Sequence, residues 1–191
     1  MRLAVLVSGS GTLLEAMLRR ALPVDLVVTD RACRGLDIAA QAGVASVHLE
    51  RQDFSGSFDR DVYSAALAEK LQDRQIDLVA MAGFGTILSG KMFDAFAGRL
   101  INTHPALLPS FPGWHGVRDA LAYGVKVTGC TIHIATPVVD DGPILAQAAV
   151  SILPGDDEAR LHERIKVVER RLYVETLTAI LNGDIELETT K

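Results

Sequence analysis

The sequence predicts an α/β fold, a single-domain doubly wound, mainly parallel sheet with helices on both faces. Short apolar, β-branched runs alternate with segments whose apolar residues recur every three or four positions. Connections between them are short, which implies right-handed crossovers over a sheet covered on both sides. The most polar, glycine-rich stretches follow the apolar runs directly, at the carboxyl ends of strands, where such a sheet binds its ligand.

Leu3 to Val7 reads as a first strand buried on both faces, ending in Ser8-Gly9-Ser10-Gly11. Thr12 then caps a helix to about Arg20 with Leu14, Met17 and Leu18 at helical spacing. Val24 to Thr29 is the second strand, Gly35 to Gly43 encloses a short helix, and Ala45 to Leu49 is the third strand. A longer helix runs from about Phe58 to Gln72, with Val62, Ala65, Ala66 and Leu67 supplying much of its inward stripe. Leu78 to Ala82 is a strand that stops at Gly83-Phe84-Gly85, followed by a helix over Lys91 to Ala97 and a strand over Leu100 to Thr103. Pro105 to Gly113 is a proline-rich loop, with a helix from Val117 to Tyr123 behind it. Val127 to Ile134 and Ile144 to Val150 are two further strands joined by Thr136 to Pro143. Leu161, Ile165, Val168 and Leu172 share one side of a closing helix to about Leu181. No repeat, low-complexity tract or dividing linker interrupts this order.

Composition excludes several functions. The chain has 191 residues, 49% of them hydrophobic, and a formal net charge of -5. It suits one domain spanning 1–191 and lacks the Lys/Arg cluster that a nucleic acid needs. No apolar run is long enough for a bilayer, and no signal peptide opens the chain, so no membrane partner is expected. Cys33 and Cys130 lie apart from any CxxC pattern and read as reduced packing residues of a cytoplasmic protein. No HExxH or Cys/His ligand set calls for a metal.

Gly9-Ser10-Gly11 begins like a dinucleotide fingerprint, with Asp30 near the place of a ribose-binding acid, but Leu14 occupies the third glycine position. What remains is a turn opening a helix, whose free N–H groups suit a phosphate; a purely structural turn is the alternative. Asn102 and His104 leave a strand two residues apart and so point to one side. The amide can donate to a developing oxyanion and the imidazole can exchange protons near neutral pH. Asp140 and Asp141, before Gly142-Pro143, are either ordinary turn residues or a carboxylate for that imidazole, whose charged form it would favour. His115 borders a substrate or packs the loop, His133 reads as a buried wall of the pocket, and Trp114 as a partly buried loop anchor.

Ser8 to Thr12, Ala82-Gly83-Phe84, Asn102-Thr103-His104-Pro105-Ala106-Leu107-Leu108-Pro109, Phe111-Pro112-Gly113 and Asp140-Asp141-Gly142-Pro143 together resemble the folate-dependent formyltransferases. Order and spacing are most similar to the phosphoribosylglycinamide formyltransferase family over nearly the whole chain. Methionyl-tRNA formyltransferases add a C-terminal domain, and formyltetrahydrofolate hydrolases an N-terminal regulatory one, so the stand-alone purine enzyme fits best. The resemblance implies transfer of the formyl group of 10-formyltetrahydrofolate, as cosubstrate, to the amine of phosphoribosylglycinamide. It further implies that Asn102 and His104 stabilise the tetrahedral oxygen, His104 donates a proton, and Asp140 assists the proton shuttle.

By position, about 1–100 becomes the phosphate- and ribonucleotide-binding half, and about 101–191 the folate-binding and catalytic half. Gly11, Thr12 and Leu13 would hold the substrate phosphate, and Lys166 and Glu169 the ribonucleotide. Gly85, Thr86, Ile87 and Leu88, with Thr136, Pro137, Val138, Val139 and Asp140, would line the folate pocket beside Asn102. Arg60 would meet the glutamate tail, or stand as an exposed helix-end arginine. Ser10 and Leu13 replace asparagines of some members, and Asp141 replaces a small residue, adding a second carboxylate. A monomer or homodimer is expected. A hydrolase releasing formate from the same folate, and a folate- or nucleotide-binding module without turnover, are the competing functions.

Overall fold

The apolar runs become strands in the order expected of an α/β chain. In the computed structural model, which describes residues 1–187, the elements are β1 (Leu3–Val7), α1 (Thr12–Arg19), β2 (Val24–Thr29), α2 (Arg34–Gln41), β3 (Ser46–His48), α3 (Arg60–Asp73), β4 (Leu78–Met81), α4 (Gly90–Ala95), β5 (Leu100–His104), α5 (Gly116–Tyr123), β6 (Val127–Ile134), β7 (Ile144–Ser151) and α6 (Glu158–Asn182). The strands form one sheet in the order β3-β2-β1-β4-β5-β6-β7. Two compact units divide the chain, Met1–Ile101 with Leu187, and Asn102–Glu186, so the division falls inside β5.

In the first unit β1 is central, paired in parallel with β2 and β4; Val5 lies opposite Val27 and Ala80. Neighbours on both edges and cover on both faces leave all five β1 residues at 0% exposure. Each such Leu or Val contributes roughly 1.5–3 kcal/mol by leaving water. β2 continues outward to β3 in parallel, with Val28 opposite Val47. α1 buries Leu13, Leu14 and Met17.

Two local expectations are corrected here. Thr12 is the first helical residue and not the cap of α1; that place is taken by Gly11 at φ 66, whose carbonyl accepts from Glu15 N. A left-handed cap favours glycine, and a Cβ there would meet Ile38 Cδ1 at 2.7 Å. The inward stripe of α3 is Tyr63, Ser64, Leu67, Ala68 and Leu71, whereas Val62 and Ala65 are exposed and Ala66 is half-buried. The Asp59 side chain accepts from Val62 N and fixes the start of the helix, and the large residues at 63, 67 and 71 then decide which side turns inward.

In the second unit β6 and β7 pair antiparallel, Thr131 opposite Gln147. Leu161 and Ile165 of α6 pack with Val117, Cys130 and Val150, and Val168 and Leu172 extend that cluster, as their spacing predicts. Cys130 therefore faces α6, while its neighbours Thr131 and His133 face the other way, toward the end of β5. The β6–β7 connection is tight enough that a Cβ at Gly142 would lie 1.7 Å from the Ile134 carbonyl oxygen. That close approach sets where the residues just before it can stand.

Candidate active site

The end of β5, the inner face of β6 and the β6–β7 connection bring Asn102, His104, His133 and Asp140 together. His104 Nδ1 lies 3.2 Å from Asp140 Oδ2, with the two side chains only 5% and 6% exposed. The same Oδ2 accepts from Gly113 N at 2.8 Å, and Asp140 Oδ1 lies 3.6 Å from His133 Nε2. Asp140 has φ 59, a left-handed conformation that Asp and Asn tolerate better than most side chains. Asp141, next to it, is exposed, so Asp140 is the carboxylate that meets His104.

Hydrogen-bond partners fix where protons sit. His104 Nε2 donates to the Phe111 carbonyl at 2.8 Å, while Nδ1 faces a carboxylate, so both ring nitrogens address acceptors. His133 Nδ1 donates to the Ile134 carbonyl at 3.1 Å. Burial holds His133 below the usual histidine range; the Ile134 hydrogen bond and Asp140 oppose this, with a smaller lowering contribution from nearby His104. Its Nε2 is then an acceptor, and Asn102 Nδ2 donates to it at 3.2 Å. The amide is thereby oriented, with one of its two N–H bonds left over for a ligand. The sequence marked His133 as a buried wall; its part in orienting Asn102 has no sequence signal beyond sharing a strand face with Thr131.

The loop after His104 is tied down by Thr131. Its Oγ1 donates to the Ala106 carbonyl at 2.7 Å and accepts from Leu108 N and Gln147 Nε2, each at 3.0 Å. Gly116, first residue of α5, leaves room for His104: a Cβ there would come within 2.9 Å of both His104 Nε2 and the Phe111 oxygen.

Glu169, on α6, is buried and accepts from Thr103 Oγ1 at 2.8 Å. Burial pushes its carboxyl up, against the Thr103 hydrogen bond and the charges of Lys166 and Arg170. Lys166 pairs with Glu163 at 2.8 Å on the same helix. Thr136 Oγ1 donates to the Val138 carbonyl, and Pro137, Val138 and Val139 are exposed. Trp114 is 72% exposed and therefore not the partly buried anchor expected of it; His115 beside it is exposed too. A single indole between Gly113 and α5 finds no apolar layer to enter. Cys130 is buried, and burial pushes its thiol up to about 12, as befits a packing residue.

In the first unit, Gly11 and half-buried Thr12 open α1, while the Leu13 side chain enters the core and leaves only its backbone to a ligand. Gly85 N donates to Ser8 Oγ at 2.7 Å, and Thr86 Oγ1 to Asp30 Oδ2 at 2.7 Å. Gly85 N and the Thr86 hydroxyl are thus used within the protein; Ile87 is exposed and Leu88 buried. Asp30 is itself buried and bonded to Arg31 and Thr86, which leaves no carboxylate for a ribose. Arg60 stands exposed on the first turn of α3. Among the described residues, no cluster of His, Cys, Asp and Glu is placed to hold a metal, and no helix is long and apolar enough to cross a membrane.

A strand-end amide, imidazole and carboxylate on an α/β sheet have the chemical means to donate to an oxyanion and to exchange protons. The chain belongs to the formyl transferase family, whose pattern matches residues 1–177. Phosphoribosylglycinamide formyltransferase of Mycobacterium tuberculosis (strain CDC 1551 / Oshkosh) is 49% identical over 184 residues, covering 94% of this chain and 84% of that one. The enzyme of the same name from Escherichia coli (strain K12) is 33% identical, covering 98% and 90%. The crystal structure of glycinamide ribonucleotide transformylase 1 from Symbiobacterium toebii superposes with a TM-score of 0.89 at 43% identity, covering 98% of this chain and 91% of that one.

Proposed function

We propose that this protein transfers the formyl group of 10-formyltetrahydrofolate to the amine of 5-phosphoribosylglycinamide, a step of purine synthesis in the cytoplasm. The observation that carries the mechanism is the contact of His104 with Asp140 beside an amide oriented by His133. The amine nitrogen attacks the formyl carbon, a C–N bond forms, and the carbonyl electron pair moves to oxygen. The spare Asn102 N–H and the His104 Nε2–H donate to that oxyanion, the substrate taking the place of the Phe111 carbonyl. Collapse breaks the bond to the folate nitrogen, which receives the proton lost by the amine, with the His104–Asp140 pair carrying it. Asp140 keeps an N–H on Nδ1 and holds the ring in place. No covalent enzyme intermediate is needed.

The α1 amides, Gly11 and Thr12 would hold the substrate phosphate, and Glu169, with Lys166 on the same helix, would take ribonucleotide hydroxyls and charge. The segments 85–88 and 136–140 would receive the folate, chiefly through shape and backbone groups other than Gly85 N, which, like Thr86 Oγ1, is already engaged.

The test mixes purified protein with 10-formyltetrahydrofolate, with and without the ribonucleotide amine, and follows folate absorbance. Amine-dependent loss of donor, abolished in a folded His104→Ala variant, is expected. Equal loss without amine makes the protein a hydrolase, and no loss in either arm makes it a binding module.

A further inference from the structure

The turn before α1 is held from outside by Arg34, a residue with no part in the chemistry above. α2 begins close against that turn. A Cβ at Gly11 would lie 3.4 Å from Gly35 Cα, and one at Gly35 would lie 3.0 Å from Val7 Cγ1. Two glycines therefore let the first turn of α2 pack on the end of β1 and the start of α1. Arg34, the first residue of α2, reaches across this approach. Its Nη1 donates to the Ser10 carbonyl at 3.0 Å, and its Nη2 to Glu15 Oε2 at 3.3 Å. Glu15 Oε1 also accepts from Arg19 at 3.0 Å, so this carboxylate is divided between two guanidiniums.

The Ser10 carbonyl and the Gly11 N–H belong to one planar trans peptide and point in opposite directions. A guanidinium that draws the carbonyl toward α2 therefore turns the Gly11 N–H away from α2. Ser10 is exposed between Gly9 and Gly11, so packing of its side chain does not fix this peptide. The N–H groups of Gly11, Thr12 and Leu13 have no acceptor among the described residues. The Leu13 side chain is buried in the core, so at Gly11 and Leu13 only the backbone can meet a ligand. A hydrogen bond weakens steeply once its N–H turns away from the acceptor, so the direction of this peptide decides what the turn can hold.

From this geometry we infer that Arg34 is a positioning residue for the substrate phosphate: by holding the Ser10 carbonyl it aims the Gly11 N–H at the anion, without touching the anion itself. The inference rests on the phosphate reading above. The Glu15 contact keeps the guanidinium over the turn, and the Ser10 contact transmits its position to the peptide. A charged donor makes the stronger kind of hydrogen bond to a carbonyl, which suits a turn that has glycine on both sides of Ser10. Arg19 shares Glu15 but makes no hydrogen bond to Ser10 among the described residues, and so has no such role.

The experiment measures binding by titration calorimetry in the absence of any formyl donor, so that it needs no turnover. The two ligands are 5-phosphoribosylglycinamide and the same compound without its phosphate. The native protein should bind the phosphorylated form at least about a hundredfold more tightly. Arg34→Ala should reduce that advantage about five- to twentyfold and leave the affinity for the unphosphorylated form within about twofold. Arg34→Lys, which keeps a charged donor for the Ser10 carbonyl, should recover most of the loss. Arg19→Gln, an equal change of charge on the same carboxylate, should leave the advantage as it was. The Arg34 side chain is 52% exposed, so the variants should fold, and circular dichroism checks it. Should Arg34→Ala unfold, Arg34→Gln makes the same comparison. An unaltered advantage in the folded variant, an equal weakening of both ligands, or the same loss in Arg19→Gln overturns the role of Arg34 and leaves the phosphate reading standing. Equal binding of the two ligands by the native protein overturns the phosphate reading as well.

Discussion

Asp140→Asn isolates the charge of the carboxylate from its shape. Asn fits the left-handed backbone at φ 59 and retains an oxygen for Gly113 N, so the β6–β7 connection keeps its course. What disappears is a negative charge 3.2 Å from His104 Nδ1. At an effective dielectric of about 20, that attraction is on the order of 5 kcal/mol before the cost of burying the carboxylate is subtracted. A net loss of about 2.7–5 kcal/mol of transition-state stabilisation corresponds to a fall in kcat/KM of about 10²- to 10⁴-fold. Initial rates of amine-dependent donor consumption measure it, with circular dichroism confirming the fold. Asp141→Asn is the matched control, being exposed, and should stay within about twofold because surface changes of this kind stay within about 0.5 kcal/mol. Near-native activity in Asp140→Asn, or an equal loss in Asp141→Asn, refutes the reasoning.

Three further expectations rest on other contacts of the second unit. His133→Leu removes the acceptor that orients Asn102, so kcat should fall about ten- to hundredfold with little change in KM, and His133→Asn should recover part of the loss. Thr131→Val strands Leu108 N and the Ala106 carbonyl, and should cost about 2–4 kcal/mol, lowering Tm by roughly 5–15 °C in a thermal melt. Asp156 is held at about 2 by its hydrogen bond with Arg164 and by Leu153 N, so the stability it contributes is present above about pH 4 and is lost as pH falls toward about 2. Tm measured across that range should fall less steeply in Asp156→Asn.

Strand positions were readable because burial on both faces demands unbroken apolar runs, as Leu3 to Val7 and Leu26 to Val28 show. The phase of α3 was not readable, because Ala65 and Ala66 suit either face and only the cap at Asp59 and the packing of Tyr63 decide it. At the site, alternation alone placed Asn102 and His104 on one side of a strand. The approach of Asp140 depends on a chain reversal that brings residues far apart in sequence into contact, and periodicity carries no such information.

Alternation along β5 has a consequence for how this chain can vary. Asn102 and His104 meet the His133–Asp140 group, while Thr103 between them turns to Glu169 on α6. A single-residue deletion within this strand would exchange the two faces at once, sending the imidazole toward a buried carboxylate on α6 and a threonine hydroxyl toward Asp140. Both partnerships would break together, so the length of this strand is constrained more tightly than the identity of its apolar residues.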